Sequence, residues 1–167
     1  MRFGKELATS ILFCSALTSA PAWALDFNAT ANVIVTTALS SAEVAQVDFG
    51  TIEASNGATC AMDPTAGNAL TGTSCTAGTG TLGDYTLTGA AGANLLVTVN
   101  APAAAVNDIT YTPTWNNGGA LVAAGVQGTM ANPTGTTTLN IGGTLTNGAA
   151  VTPGNTSFTF NVNVVYQ

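Results

Sequence analysis

From Phe158 to Tyr166 apolar and polar side chains alternate. Phe158, Phe160, Val162, Val164 and Tyr166 share one parity, Thr159, Asn161 and Asn163 the other, and Val165 is the one apolar exception. A period of two in β-branched and aromatic residues specifies a strand with one buried face. Such a strand needs a partner for its backbone and a cover for its apolar side. A second segment of the same kind lies near the other end. Leu25, Phe27, Ala29, Ala31, Val33 and Val35 share one parity, and Asp26, Asn28, Thr30 and Asn32 the other. Val33, Ile34 and Val35 are apolar on both faces, so the boundary between this segment and the next strand stays open.

The residues between are rich in Gly, Asn, Thr and Ala and sparse in the helix formers Leu, Glu and Lys. Strand patterns recur through them. After an opening stretch from Leu25 to Leu39, Val44 to Ile52 places Val47, Phe49 and Thr51 on one parity. Tyr85 and Leu87 make a short strand, and Leu95, Val97 and Val99 another that ends before Pro102. Ile109, Tyr111, Pro113 and Trp115 alternate, with Pro113 marking an edge or a bulge. Leu139, Ile141 and Leu145 follow, broken by Gly142 and Gly143. Short strands separated by Asn-Gly, Gly-Asp and Pro signals predict an all-β, antiparallel sandwich. Ala54 to Gly83 reads as a loop, and Gly118 to Gly135 as a weak stretch with one short strand near Leu121 to Val126.

The first 24 residues read as an export signal and stand outside the fold. Arg2 and Lys5 are its basic start, Leu7 to Leu17 is apolar but too short to span a bilayer, and Ala22-Trp23-Ala24 has the small-x-small pattern of a cleavage site. Phe13 before Cys14 argues against a lipoprotein site. The expected division is residues 1–24 as a removed signal, 25–35 as an N-terminal strand and 36–167 as one β-domain, with no membrane insertion after cleavage.

Beyond residue 24 the chain has no Lys, Arg or His, against the acids Asp26, Glu43, Asp48, Glu53, Asp63, Asp84 and Asp108. Nucleic-acid binding is excluded, because phosphate neutralisation needs cations. Attachment to anionic lipid is disfavoured for the same reason. Triads, Schiff bases and phosphate clamps lack their residues, so no catalytic residue and no enzyme are expected. Carboxylate pairs as in glycoside hydrolysis are the only remainder, and Glu43, Asp48 and Glu53 read better as solvated turn positions. The acids Asp63, Asp84 and Asp108 are too isolated for a calcium site. Cys60 and Cys75, the only two cysteines after the signal, read as a disulfide in an exported chain, and no zinc set is available. No metal and no cofactor are expected.

The two ends together resemble the subunits of chaperone–usher pili. Those subunits end on a strand of alternating apolar residues with a glycine fourteenth from the end and an aromatic residue next to last, the places held here by Gly154 and Tyr166. Val47-Asp48-Phe49-Gly50-Thr51-Ile52 is similar to their second strand, including that of the spore-coat-U-like subunits. Ile141-Gly142-Gly143-Thr144-Leu145 resembles secreted bacterial β-domains described as pilin-like. The resemblance implies an immunoglobulin-like sandwich lacking its last strand. A periplasmic chaperone would fill the gap during assembly at an outer-membrane usher. The N-terminal strand of an identical or related subunit would then replace it, building an extracellular fibre at the cell surface that serves adhesion or biofilm. Carried over by position, Leu25, Phe27, Ala29, Ala31 and Val33 would be the donor strand. Gly154, Phe158, Phe160, Val162, Val164 and Tyr166 would line the acceptor groove. Cys60 and Cys75 lie later than the cysteines of many such subunits, and the N-terminal extension is short.

Two other readings fit the same alternation. The last strand could be an ordinary core strand of a complete sandwich, paired with Leu25 to Val35 of its own chain. The protein would then be a secreted monomer with a binding role, for which Tyr85, Tyr111, Trp115, Asn116 and Asn117 would supply a sugar-stacking patch.

Overall fold

The structure, a computed structural model, describes residues 37–167; the expected signal, the opening strand and all five donor positions lie outside the described residues. Ten strands and no helix occur among the described residues: β1 (Ser40–Ala45), β2 (Thr59–Met62), β3 (Leu70–Thr71), β4 (Gly83–Thr88), β5 (Ala93–Asn100), β6 (Ile109–Asn117), β7 (Ala120–Ala123), β8 (Gln127–Asn132), β9 (Thr136–Asn147) and β10 (Asn161–Tyr166). Every ladder is antiparallel. The larger sheet runs β1-β4-β9-β2-β3, with β6 also on β9 and β7 on β6; the smaller runs β10-β5-β8. The sheets face one another across shared apolar side chains, a sandwich-like arrangement of the predicted class.

The spine is β9. Along one edge its first half pairs with β4, from Thr136 opposite Thr88 to Ile141 opposite Gly83. Its second half then pairs with β2, from Gly143 opposite Met62 to Thr146 opposite Thr59. Along the other edge Ile141 to Asn147 pair with Trp115 to Ile109 of β6. The break expected at Gly142 and Gly143 does not exist: β9 runs through both. They are glycine because neighbouring backbones crowd in. A Cβ on Gly142 would run into the Met62 carbonyl, and one on Gly143 into Thr112 O and, at 2.8 Å, Pro113 Cα. Pro113 is buried at the step where β6 has β9 on one side and β7, whose last residue Ala123 lies opposite Thr114, no longer on the other.

Between the sheets Leu87, Leu139, Ile141 and Trp115 from the larger meet Leu95, Val97, Val99 and Met130 from the smaller. Leu95, Val97 and Val99 are wholly buried, as their alternation requires. A second cluster of Phe49, Cys60, Met62, Ile109, Tyr111 and Leu145 lies on the same side of the larger sheet and packs against Phe158 and Phe160.

Other expectations change in detail. The strand expected over Val44 to Ile52 starts at Ser40 and stops at Ala45, after a register shift between Glu43 and Ala45. Beyond it the only β-pairing of residues 46–52 among the described residues is the isolated bridges Asp48–Thr81 and Ile52–Cys75, and a turn in which Asp48 Oδ1 accepts the Gly50 N–H at 2.7 Å interrupts extension. The stretch read as a loop from Ala54 to Gly83 contains β2 and β3. It is tied by the Cys60–Cys75 disulfide, whose Cα atoms are 5.0 Å apart. Gly118 to Gly135 holds two strands rather than one, β7 and β8. The last ladder begins only at Asn161, with Phe158 and Phe160 packed on the core ahead of it.

Candidate functional site, an open groove

An open groove of about 1470 Å³ runs between β1 with the residues after it and β10 with the residues before it. One wall is Ser41, Glu43 and the stretch from Gln46 to Ile52. The other is Val151 to Phe160, Val162 and Val164. The floor is the inward face of the larger sheet: Tyr85, Leu87, Ile109, Tyr111, Leu139 and Leu145. β1 pairs with β4 on one edge and β10 with β5 on one edge; among the described residues neither has a ladder on the edge facing the groove. The inward parity of β10 is accordingly only half covered. Phe160, Val162, Val164 and Tyr166 are all partly exposed, whereas their parity mates on β5 are wholly buried.

Three rings surround Tyr111 on the floor: Phe49 with centroids 5.9 Å apart, Phe158 at 5.6 Å and Phe160 at 5.7 Å. The Tyr111 hydroxyl donates to the Gly142 carbonyl at 2.6 Å, so its polar end is satisfied inside the sheet. Burial, with a smaller contribution from Tyr85, pushes its phenol well above the ordinary tyrosine range. Tyr85 is raised too, first by burial and then by Glu43, which stands opposite it in the β1–β4 ladder.

The wall formed by residues 151 to 157 is pinned by a corner at Asn107 and Asp108, both in the left-handed region at φ 52° and 57°. Asn107 Nδ2 donates to Thr152 O, and Asp108 Oδ2 accepts the Ala150 N–H at 2.6 Å. The opposite wall is held to the disulfide-bearing strip, where Glu53 N–H donates to Ser74 O at 2.8 Å and Thr76 bonds to Thr51 O. Asn147 Nδ2 adds a bond to Glu53 O at 2.7 Å.

The structure brings Phe158, Phe160, Val162 and Val164 together along the groove, with Gly154 in the pinned wall at φ 153°. Tyr166 sits just past the lined stretch, on the first core cluster. Sequence reasoning did not name the floor. Its signal is the inward parity of Tyr85, Leu87, Ile109, Tyr111, Leu139 and Leu145, but no sequence pattern shows which inward residues lack a cover. The residues proposed for sugar stacking divide: Trp115 and Tyr111 are buried in the core, and a sugar cannot reach Trp115. No cluster of three or more His, Cys, Asp or Glu suited to a metal exists among the described residues.

The fold and groove define an all-β, sandwich-like domain with an open groove, apolar at its floor and polar along much of its walls. The chain belongs to the family described as "Domain of unknown function (DUF4402)", whose model matches residues 39–166. No curated protein and no solved structure matches it.

Proposed function

We propose that this domain is a non-catalytic structural subunit of an extracellular fibre, its groove filled by the segment Leu25 to Val35 of a second copy. In this reading the sandwich is immunoglobulin-like and lacks one strand. The observation that carries it is the half-covered parity of β10 above an apolar floor, beside a strand edge with no ladder among the described residues. An added strand supplies what both need, main-chain bonds for the edge and side chains for the floor. The trough is larger than the few hundred to roughly 1,000 Å³ usual for small-molecule clefts and suits an extended peptide. The segment Leu25 to Val35 offers the matching period of two, with Leu25 and Phe27 as its large knobs and Ala29 and Ala31 as its small ones. A chaperone would occupy the groove before export of the subunit to the surface through an usher.

The test is deletion of Leu25 to Val33 behind an intact signal, followed by electron microscopy of the cell surface. Fibres should disappear while the domain is still exported. Undiminished fibres would reject filling of the groove by Leu25 to Val35, and an exported domain that stays a monodisperse monomer without a chaperone would favour a complete sandwich.

A further inference from the structure

At one end of the groove the Tyr166 side chain reaches from one wall to the other. Tyr166 Oη accepts the Ala90 N–H at 2.7 Å and donates to the Thr37 carbonyl at 2.6 Å. Thr37 leads into β1 and Tyr166 lies at the end of β10, so this phenol spans from wall to wall. Its seat is shaped for it. A Cβ on Gly89 would stand 2.6 Å from Tyr166 Oη and 3.2 Å from Leu39 Cδ1. The groove lining stops at Ser41 on one wall and Val164 on the other, one step short of Leu39 and Tyr166. Both of these pack on the first core cluster at that end.

We infer that Tyr166 is a positioning residue: its bridge to Thr37 closes one end of the groove and sets the register of the strand lodged there. The inference rests on the groove being a strand acceptor. A register stop is needed because period-two patterning alone does not distinguish a strand from the same strand shifted by two residues. Here a shift of two would put Ala29 where Phe27 belongs. The Tyr166 ring would fill the end of the trough with or without its hydroxyl. The bond across the mouth is what ties Thr37, and with it the start of β1, to the other wall.

The test uses the purified exported chain and a synthetic peptide of residues 25–35, in excess, with a photo-crosslinking benzophenone at its second apolar position. Wild type should crosslink at one groove position and release the peptide slowly. Tyr166→Phe should crosslink at two or more positions two residues apart and release the peptide about three- to tenfold faster, the scale of one lost hydrogen bond. Its melting temperature should fall only modestly, since the Ala90 N–H and the Thr37 carbonyl each lose one partner. Gly89→Ala, which crowds the hydroxyl out of its seat, should behave likewise and carries the comparison if Tyr166→Phe does not fold. An unchanged single crosslink and an unchanged release rate in the folded variants overturn the inference while leaving the groove an acceptor. A wild-type groove that takes up no peptide removes the acceptor reading and this one with it.

Discussion

Asn107 grips Thr152 by both ends of its carboxamide: Nδ2 donates to the Thr152 carbonyl at 2.7 Å, and Oδ1 accepts from the Thr152 hydroxyl at 2.7 Å and its N–H at 3.3 Å. This is how a turn before β6 shapes the wall that precedes β10. Asn107→Gly keeps the left-handed backbone but loses these bonds, and should lower stability by about 1–2 kcal/mol in urea unfolding. Asn107→Ala should cost about 1 kcal/mol more, because alanine must also bear the positive φ. Equal losses in the two variants would show that the backbone conformation carries none of the effect.

The disulfide closes a sequence separation of 15 residues around the otherwise weakly paired β2–β3 strip. Replacing Cys60 and Cys75 together by Ala should cost about 3 kcal/mol. The loss should be felt beyond the strip, since Cys75 faces Ile52 across an isolated bridge and Glu53 is bonded to Ser74. Hydrogen exchange should therefore show earlier opening of residues 46–53 than of β5 in the double variant.

Gly142→Ala places a methyl against the Met62 carbonyl and, at 3.0 Å, Pro64 Cδ. The obstacle is backbone, which cannot swing aside, so about 3 kcal/mol should be lost in chemical denaturation. Gly118→Ser, at a turn with nothing within 4 Å of the added atom, is the surface comparison and should cost far less, limited to its backbone at φ 60°.

Alkali should unfold the domain. Folding favours the neutral phenols of Tyr111 and Tyr85, so their folded-state pKa values stand above the ordinary 10.0. A group raised in this way contributes stability that is whole below its unfolded value and is lost as pH climbs through the folded one. The urea midpoint should be nearly level from about pH 6 to 9 and fall above about pH 10, given the ordinary tyrosine value. Tyr111→Phe should show a shallower alkaline fall from a lower starting stability, because the Gly142 carbonyl then loses its donor.

Much of the fold is legible in the sequence where side-chain parity and burial coincide. In β5, Leu95, Val97 and Val99 alternate and all three are wholly buried; Ile109, Tyr111 and Trp115 in β6 behave the same way. Legibility fails where backbone proximity decides. Gly142 and Gly143 look like a break and are the point at which the β2 and β6 backbones leave no room for a Cβ on β9. β8 has Met130 as its one large apolar residue, so its place at the edge of the smaller sheet leaves almost no trace of period two. Within the groove, the β10 wall is written in one contiguous stretch. The facing wall and floor come from residues 41–52, 85–87, 109–111 and 139–145, and only tertiary pairing gathers them into one trough.

The groove has β1 of the larger sheet and the residues after it on one flank, and β10 of the smaller sheet and the residues before it on the other. Any segment held there would be gripped on two flanks, and a tug along its axis would strain all the flanking bonds at once rather than peel them one by one. Shear loading of this kind resists rupture far better than unzipping, so a strand seated between the two flanks would come free only when its bonds break together.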